Sequence, residues 1–165
     1  MAVIYVFRCV CIMQLLHPKR IERWQGMKIK KVYSPLIEWG RADFILAFEK
    51  LEAFRYIHFL REKGTVIVND FQLPPMSVLT GENRYPEGII ENLKKVALVD
   101  IIPAQDIALK LGDVRVVNVV LLGGLARHLQ FPEEVWLSAI KEKVKPQYWD
   151  LNIKAFTSLF SDNYI

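Results

Sequence analysis

The segment Phe44–Asn69, FILAFEKLEAFRYIHFLREKGTVIVN, narrows the available folds more than any other part of this chain. Phe44–Phe48 is a nearly continuous apolar run, the pattern of a strand covered on both faces. Residues 50–62 follow with helical spacing. Ala53, Phe54, Ile57 and Leu60 share one stripe, and Glu52, Arg55 and Glu62 lie opposite. Gly64 reads as the C-cap of that helix, and Thr65–Asn69 (TVIVN) as the next strand. A strand, a helix and a strand in this order predict a parallel sheet with right-handed crossovers.

The rest of the chain extends the pattern. Ile29–Tyr33 reads as a further short strand, with Ser34-Pro35 and Trp39-Gly40 punctuating the loop after it. Leu73–Tyr85 holds Pro74, Pro75 and Gly81 and is expected to be a loop or extended excursion. A helix near Glu87–Lys95 leads to a strand at Ala97–Ile102, closed by Pro103, and Ala104–Leu111 makes a short helix ending at Gly112. The β-branched run Val114–Leu122 fits a strand by residue type and a buried helix by its length through Leu129. The preferred reading is a helix from Asn118, with Gly123 and Gly124 allowing close packing. Pro132 starts the next helix, Glu133 and Glu134 fall in its first turn, and Lys141, Lys143 and Lys145 lie near its end, before Pro146 stops it. Gln147–Phe160 is the final helix. The expected fold class is α/β: a Rossmann-like, mostly parallel sheet flanked by helices, with a helical last third and an atypical N-terminal part.

Length and composition limit the function classes. The chain has 165 residues, 52% of them hydrophobic, with 8 Gly and 8 Pro. That suits one domain with a substantial core and excludes global disorder or a fibrous repeat. Two cysteines cannot form a disulfide framework or hold a four-cysteine iron–sulfur cluster unaided. The net charge of +4 permits an acidic or nucleotide partner without requiring one. Residues 1–16, MAVIYVFRCVCIMQLL, are almost wholly apolar but carry Arg8 at the centre. A membrane span needs roughly 20 apolar residues, and a central Arg costs about 3 kcal/mol on insertion scales. A buried strand or short helix is the expectation, in a chain placed in the cytoplasm.

Signatures of catalysis are few. Neither GxGxxG nor GxxxxGK[ST] occurs. Cys9 and Cys11, with His17 six residues on, lack the usual metal-ligand spacing and read as inert buried thiols. His58 and His128 fall in helical segments with no clear carboxylate partner, and spacing alone does not pair Asp100, Asp106 or Asp113 into an acid–base dyad. The lysines near the end of the penultimate helix lack the interleaved aromatics of a nucleic-acid surface. No catalytic or metal-binding residue is assigned, and neither nucleic acid nor membrane is an expected partner.

A collinear series of segments resembles a known family. It comprises VYSPLIEWGRADFILAFEKLEAFRYIHFL (Val32–Leu60), GTVIVND (Gly64–Asp70), Pro74-Pro75, Tyr85-Pro86, IPAQDIALKLG (Ile102–Gly112), RVVNVVLLGGLARHLQFPEEVW (Arg115–Trp136) and LNIKAF (Leu151–Phe156). It is similar to the gamma-type domain of the 2-oxoacid:acceptor oxidoreductases, and most similar within them to small (beta) subunits of indolepyruvate:ferredoxin oxidoreductases. The resemblance implies residues 32–165 as the gamma-type catalytic domain, preceded by an atypical N-terminal segment, 1–31, within a single domain. Family members open with a strand, a GxGGxG turn and a helix, which this chain lacks before Val32. Either residues 1–31 supply a replacement strand or the chain is an altered member.

The implied activity is oxidative decarboxylation of an aryl-2-oxoacid such as indolepyruvate, with coenzyme A, to an aryl-acetyl-CoA, the electrons passing to ferredoxin. The resemblance places thiamine diphosphate, Mg²⁺ and 4Fe–4S clusters in a large (alpha) partner subunit, with none bound by this chain alone. The chain would supply packing, subunit contacts and part of the wall near substrate or coenzyme A. The loop Tyr33, Ser34 and Pro35 follows a strand where α/β folds place their working surfaces, and Asn118 is a polar residue inside an apolar run. These four are the expected positions near a functional interface. Two alternatives stay open: a free-standing Rossmann-like module binding a nucleotide or coenzyme A, and an inactive, truncated family member.

Overall fold

The computed structural model describes residues 4–7 and 37–160. The expected strand at Ile29–Tyr33, the loop residues Tyr33, Ser34 and Pro35, and Cys9, Cys11 and His17 lie outside these.

Four strands form one sheet in chain order: β1 (Ile4–Phe7), β2 (Ala42–Ala47), β3 (Leu60–Asn69) and β4 (Leu98–Ile102). β2, β3 and β4 run parallel, with Ile45 opposite Val66 and Thr65 opposite Leu98. β1 pairs antiparallel with β2, Ile4 opposite Ala47 and Phe7 opposite Phe44. Part of the apolar N-terminal run therefore does supply a strand, on the far side of β2 from β3.

Alternation along the strands divides the core between two faces. Ile45, Ala47, Val66 and Val68 point to one face, which is covered by α1 (Lys50–Arg55) and α3 (Ile89–Lys94). Leu46, Ile67 and Ile102 point to the other, which is covered by α4 (Ala104–Lys110), α5 (Val117–Ala126), α6 (Glu133–Lys143) and α7 (Trp149–Phe160). Each fully buried aliphatic side chain contributes roughly 1.5–3 kcal/mol, so both layers are needed to hold the sheet. The α/β expectation is met, helical last third included.

Three local features differ from the sequence expectation. The helix expected over residues 50–62 ends at Arg55, and a 3₁₀ turn over Ile57–Phe59 leads directly into β3 at Leu60. Ile57, His58 and Phe59 are weaker helix formers, and Leu60 reaches the core from a strand rather than a helical stripe. Gly64 is accordingly not a C-cap. β3 carries extra residues between its pairings Leu60–Ala42 and Thr65–Phe44, and Lys63 there takes a left-handed φ of 57°. A Cβ on Gly64 would lie 2.6 Å from the Leu60 side chain, so glycine is needed where the bulge folds back. The excursion after β3 also holds one short helix, α2 (Met76–Leu79).

The ambiguous run resolves as the helix α5. Its residues are apolar on nearly every side because it is enclosed between the sheet and α7. Gly124 faces the sheet, where a Cβ would fall 2.1 Å from Ile102 Cδ1, and Gly123 faces α7, where it would fall 2.3 Å from the Phe156 carbonyl oxygen. The first obstacle is the movable end of a side chain; the second is backbone. Gly123→Ala should therefore cost about 1–3 kcal/mol of unfolding free energy, and Gly124→Ala should cost less, as measured by urea denaturation of each full-length variant.

Candidate functional site

Parallel sheets present their working surface at the carboxyl ends of the strands. Here that edge carries the turn Phe48–Glu49 after β2, Asn69–Phe71 after β3 and Pro103 after β4. Two buried polar side chains organise it. The Asn69 amide donates from Nδ2 to the Phe48 carbonyl at 3.3 Å, and its Oδ1 accepts from the Ala104 backbone N–H at 3.0 Å. One side chain thus ties the exit of β2 to the start of α4.

Glu49 is the second. It is the N-cap of α1, its Oε2 accepting from the Glu52 N–H at 3.1 Å. Its Oε1 accepts from the Leu73 N–H at 3.4 Å and from the Tyr85 hydroxyl. The carboxylate therefore pins both ends of the excursion between β3 and α3. Burial of the phenol, reinforced by the adjacent Glu49 carboxylate, raises the Tyr85 pKa well above its ordinary value. Tyr85 therefore stays protonated at neutral pH, as the donor that its bond to Glu49 requires.

Beside this anchor lies a cleft of 480 Å³ between the starts of α1 and α3, lined by Lys50, Gln72, Tyr85, Glu87, Ile90 and Glu91 among others. Lys50 Nζ is paired with Asp70 at 2.5 Å. The arrangement provides one committed cation and exposed carboxylates at the rim.

Of the expected interface residues, Asn118 is the one within the described region. It is exposed in the first turn of α5, so solvent meets its polar group and no buried partner is required. α5 passes Ile102 at Gly124 and reaches Asp100 at Arg127, so Asn118 lies toward the carboxyl edge of the sheet.

Histidine pairing was not visible in the sequence. His128 Nε2 lies 3.0 Å from Asp100 Oδ2, and Arg127 Nη2 donates to the same oxygen at 2.7 Å. The partners are 27 and 28 residues apart, and only the packing of α5 across β4 joins them. His58 sits among aromatic rings, 5.1 Å from Trp39 and 4.4 Å from Phe59 between centroids. Glu49, Asn69 and Tyr85 also escaped sequence reading, although a carboxylate and an amide directly after two apolar strands were an available signal.

Comparison with known proteins shows the family of this chain. The pattern of the pyruvate ferredoxin/flavodoxin oxidoreductase family matches residues 25–160, and the chain belongs to that family. It is 35% identical over 133 residues to indolepyruvate oxidoreductase subunit IorB of Thermococcus kodakarensis, covering 76% of this chain and 65% of that protein. It is 41% identical over 136 residues to the subunit of the same name in Archaeoglobus fulgidus, covering 78% and 67% respectively. The chain thus spans about 65% of the length of the Thermococcus relative. In three dimensions it resembles the gamma subunit of a keto/oxoacid ferredoxin oxidoreductase from Geobacter sulfurreducens, with a TM-score of 0.53 at 22% identity, over 79% of this chain and 76% of that one. The likeness of fold extends across most of both chains.

Two outcomes test the site. Glu49→Ala removes the cap of α1 and leaves the Leu73 N–H and the Tyr85 hydroxyl without their acceptor. It should destabilise the chain by about 1–3 kcal/mol, with Tyr85→Phe costing less, both read from denaturant midpoints. Hydrogen bonding from His128, with the Arg127 charge, holds the Asp100 carboxyl below its usual range. Its stabilising contribution is fully present above the unfolded carboxylate value of about 3.9 and is lost as pH falls through the lower folded value. Asp100→Asn should flatten the part of the acid-unfolding profile that lies below about pH 4.

Proposed function

We propose that this chain is the small subunit of a heteromeric 2-oxoacid:ferredoxin oxidoreductase acting on aryl-2-oxoacids such as indolepyruvate. The reaction consumes the oxoacid and coenzyme A, releases CO₂ and an aryl-acetyl-CoA, and passes two electrons to ferredoxin. One observation carries the reading: four relatives from four organisms, 33–41% identical to this chain, all bear the name indolepyruvate oxidoreductase subunit IorB. The carboxyl-edge geometry supports a contact role. Its carboxylate and phenol are committed to holding backbone, and its lysine to an ion pair.

In this reading thiamine diphosphate, Mg²⁺ and the 4Fe–4S clusters belong to the large (alpha) subunit, which supplies the electron sink for decarboxylation. The cleft beside Glu49 offers a diphosphate–Mg²⁺ group little, which supports this reading. Glu49 already has acceptor bonds on both oxygens, Lys50 is neutralised by Asp70, and Glu87 and Glu91 oppose a polyanion. Among the described residues no three His, Cys, Asp or Glu side chains cluster to hold a metal. The chain's own contribution is to present a contact surface to the partner, with Asn118 and the residues Tyr33, Ser34 and Pro35 as proposed contact positions. Ferredoxin is reached through the complex. Among the described residues no helix is long and apolar enough to cross a membrane, and the cytoplasm is the proposed location.

Co-expression with a thiamine- and cluster-bearing large subunit tests the assignment. Co-elution in size-exclusion chromatography, with dye reduction that requires indolepyruvate, coenzyme A and both chains, is the expected result. A folded chain that elutes alone overturns it. A rise in its melting temperature with a nucleotide or coenzyme A would then favour the free-standing binding module. A molten, dye-binding chain would favour the inactive member.

A further inference from the structure

We propose that the turn Phe71–Gly81 and the acidic rim beside it form the surface on which the cofactor-bearing subunit docks, and that this partner offers an apolar pocket bordered by lysine or arginine. The inference rests on the subunit reading above.

The segment FQLPPMSVLTG (Phe71–Gly81) carries no formal charge over eleven residues, in a chain that is 24% charged. It is nonetheless exposed where it is most apolar: Leu73, Met76 and Leu79 expose 47%, 70% and 67% of their surface. Methionine and aliphatic side chains without intervening charge mark the centre of a protein contact, where charges are depleted. Around it the charges return, mostly of one sign. Glu82, Glu87 and Glu91 are exposed, with Arg84 among them, and Glu87 and Glu91 share the cleft with Gln72. This edge is acidic in a chain whose net charge is +4.

The turn is held in place for docking. Glu49 accepts from the Leu73 N–H at 3.4 Å and from the Tyr85 hydroxyl, and the Lys50 N–H donates to the Phe71 carbonyl at 3.2 Å. At the other end the Asn83 N–H donates to the Ser77 carbonyl at 2.8 Å, and Gly81 closes α2 at φ +79°. A preformed turn loses less conformational freedom on binding than a mobile one.

Charge decides which partner fits. In a two-fold contact between copies of this chain the same patch meets itself, setting the acidic rim against an acidic rim. A different polypeptide with basic residues around an apolar pocket satisfies both the centre and the rim.

The test uses the full chain and the large subunit. Met76→Asp combined with Leu79→Asp should weaken association at least about tenfold, as two exposed anchors are lost. The melting temperature of the variant chain alone should stay within about 2 °C of wild type, because both side chains are exposed. Glu87→Lys with Glu91→Lys should weaken association and blunt its salt dependence. Wild-type association that the Met76/Leu79 variant retains overturns the docking surface while leaving the subunit reading intact. So does loss of self-association in place of partner binding. A wild-type chain that never associates overturns the subunit reading, and this inference with it.

Discussion

The carboxyl edge of the sheet depends on one buried amide. Parallel strands and their crossover helices leave backbone carbonyls and N–H groups at each junction, and a buried one without a partner costs about as much as a lost hydrogen bond. Asn69 serves two such junctions, the end of β2 through the Phe48 carbonyl and the start of α4 through the Ala104 N–H. The first precedes α1 on one face of the sheet, and the second begins the helical layer on the other. The two halves of the core are thereby set relative to each other by an amide that is itself buried. Glu49 extends the same principle to the excursion after β3, where the chain has no sheet partner to satisfy its backbone.

These polar anchors bear on function. A carboxylate that caps a helix and accepts two further bonds is constrained in geometry. The carboxyl edge is built here as a firm, locally acidic surface with an apolar turn at its margin. What the comparisons add is membership of the pyruvate ferredoxin/flavodoxin oxidoreductase family, matched over residues 25–160.

Much of the fold was legible in advance because its signals are local. Phe44–Phe48 and Thr65–Asn69 announced strands by unbroken apolar character, Pro132 with Glu133 and Glu134 announced the start of α6, and Gly123-Gly124 announced a close approach. The misreading of Gly64 shows where local signals fail. A glycine after a helical stripe and a glycine in a β-bulge look alike in sequence, and only the pairing of β3 with β2 on either side of the bulge separates them. The site was less legible than the fold. Asp100 and His128 are 28 residues apart, and Glu49 and Tyr85 are 36 apart. No periodicity connects such pairs.

The sequence by itself determined the class of the sheet, the succession of strands and helices from β2 onward, and the family, because burial pattern, punctuation by Gly and Pro, and collinear segments are properties of neighbouring residues. Tertiary structure decided which polar groups meet. A hydrogen bond extends over about 3 Å while its partners are set by the packing of whole helices on the sheet. Asn69, Glu49 and Asp100 therefore acquired their roles only when α4, the excursion before α3 and α5 came to rest against the strands.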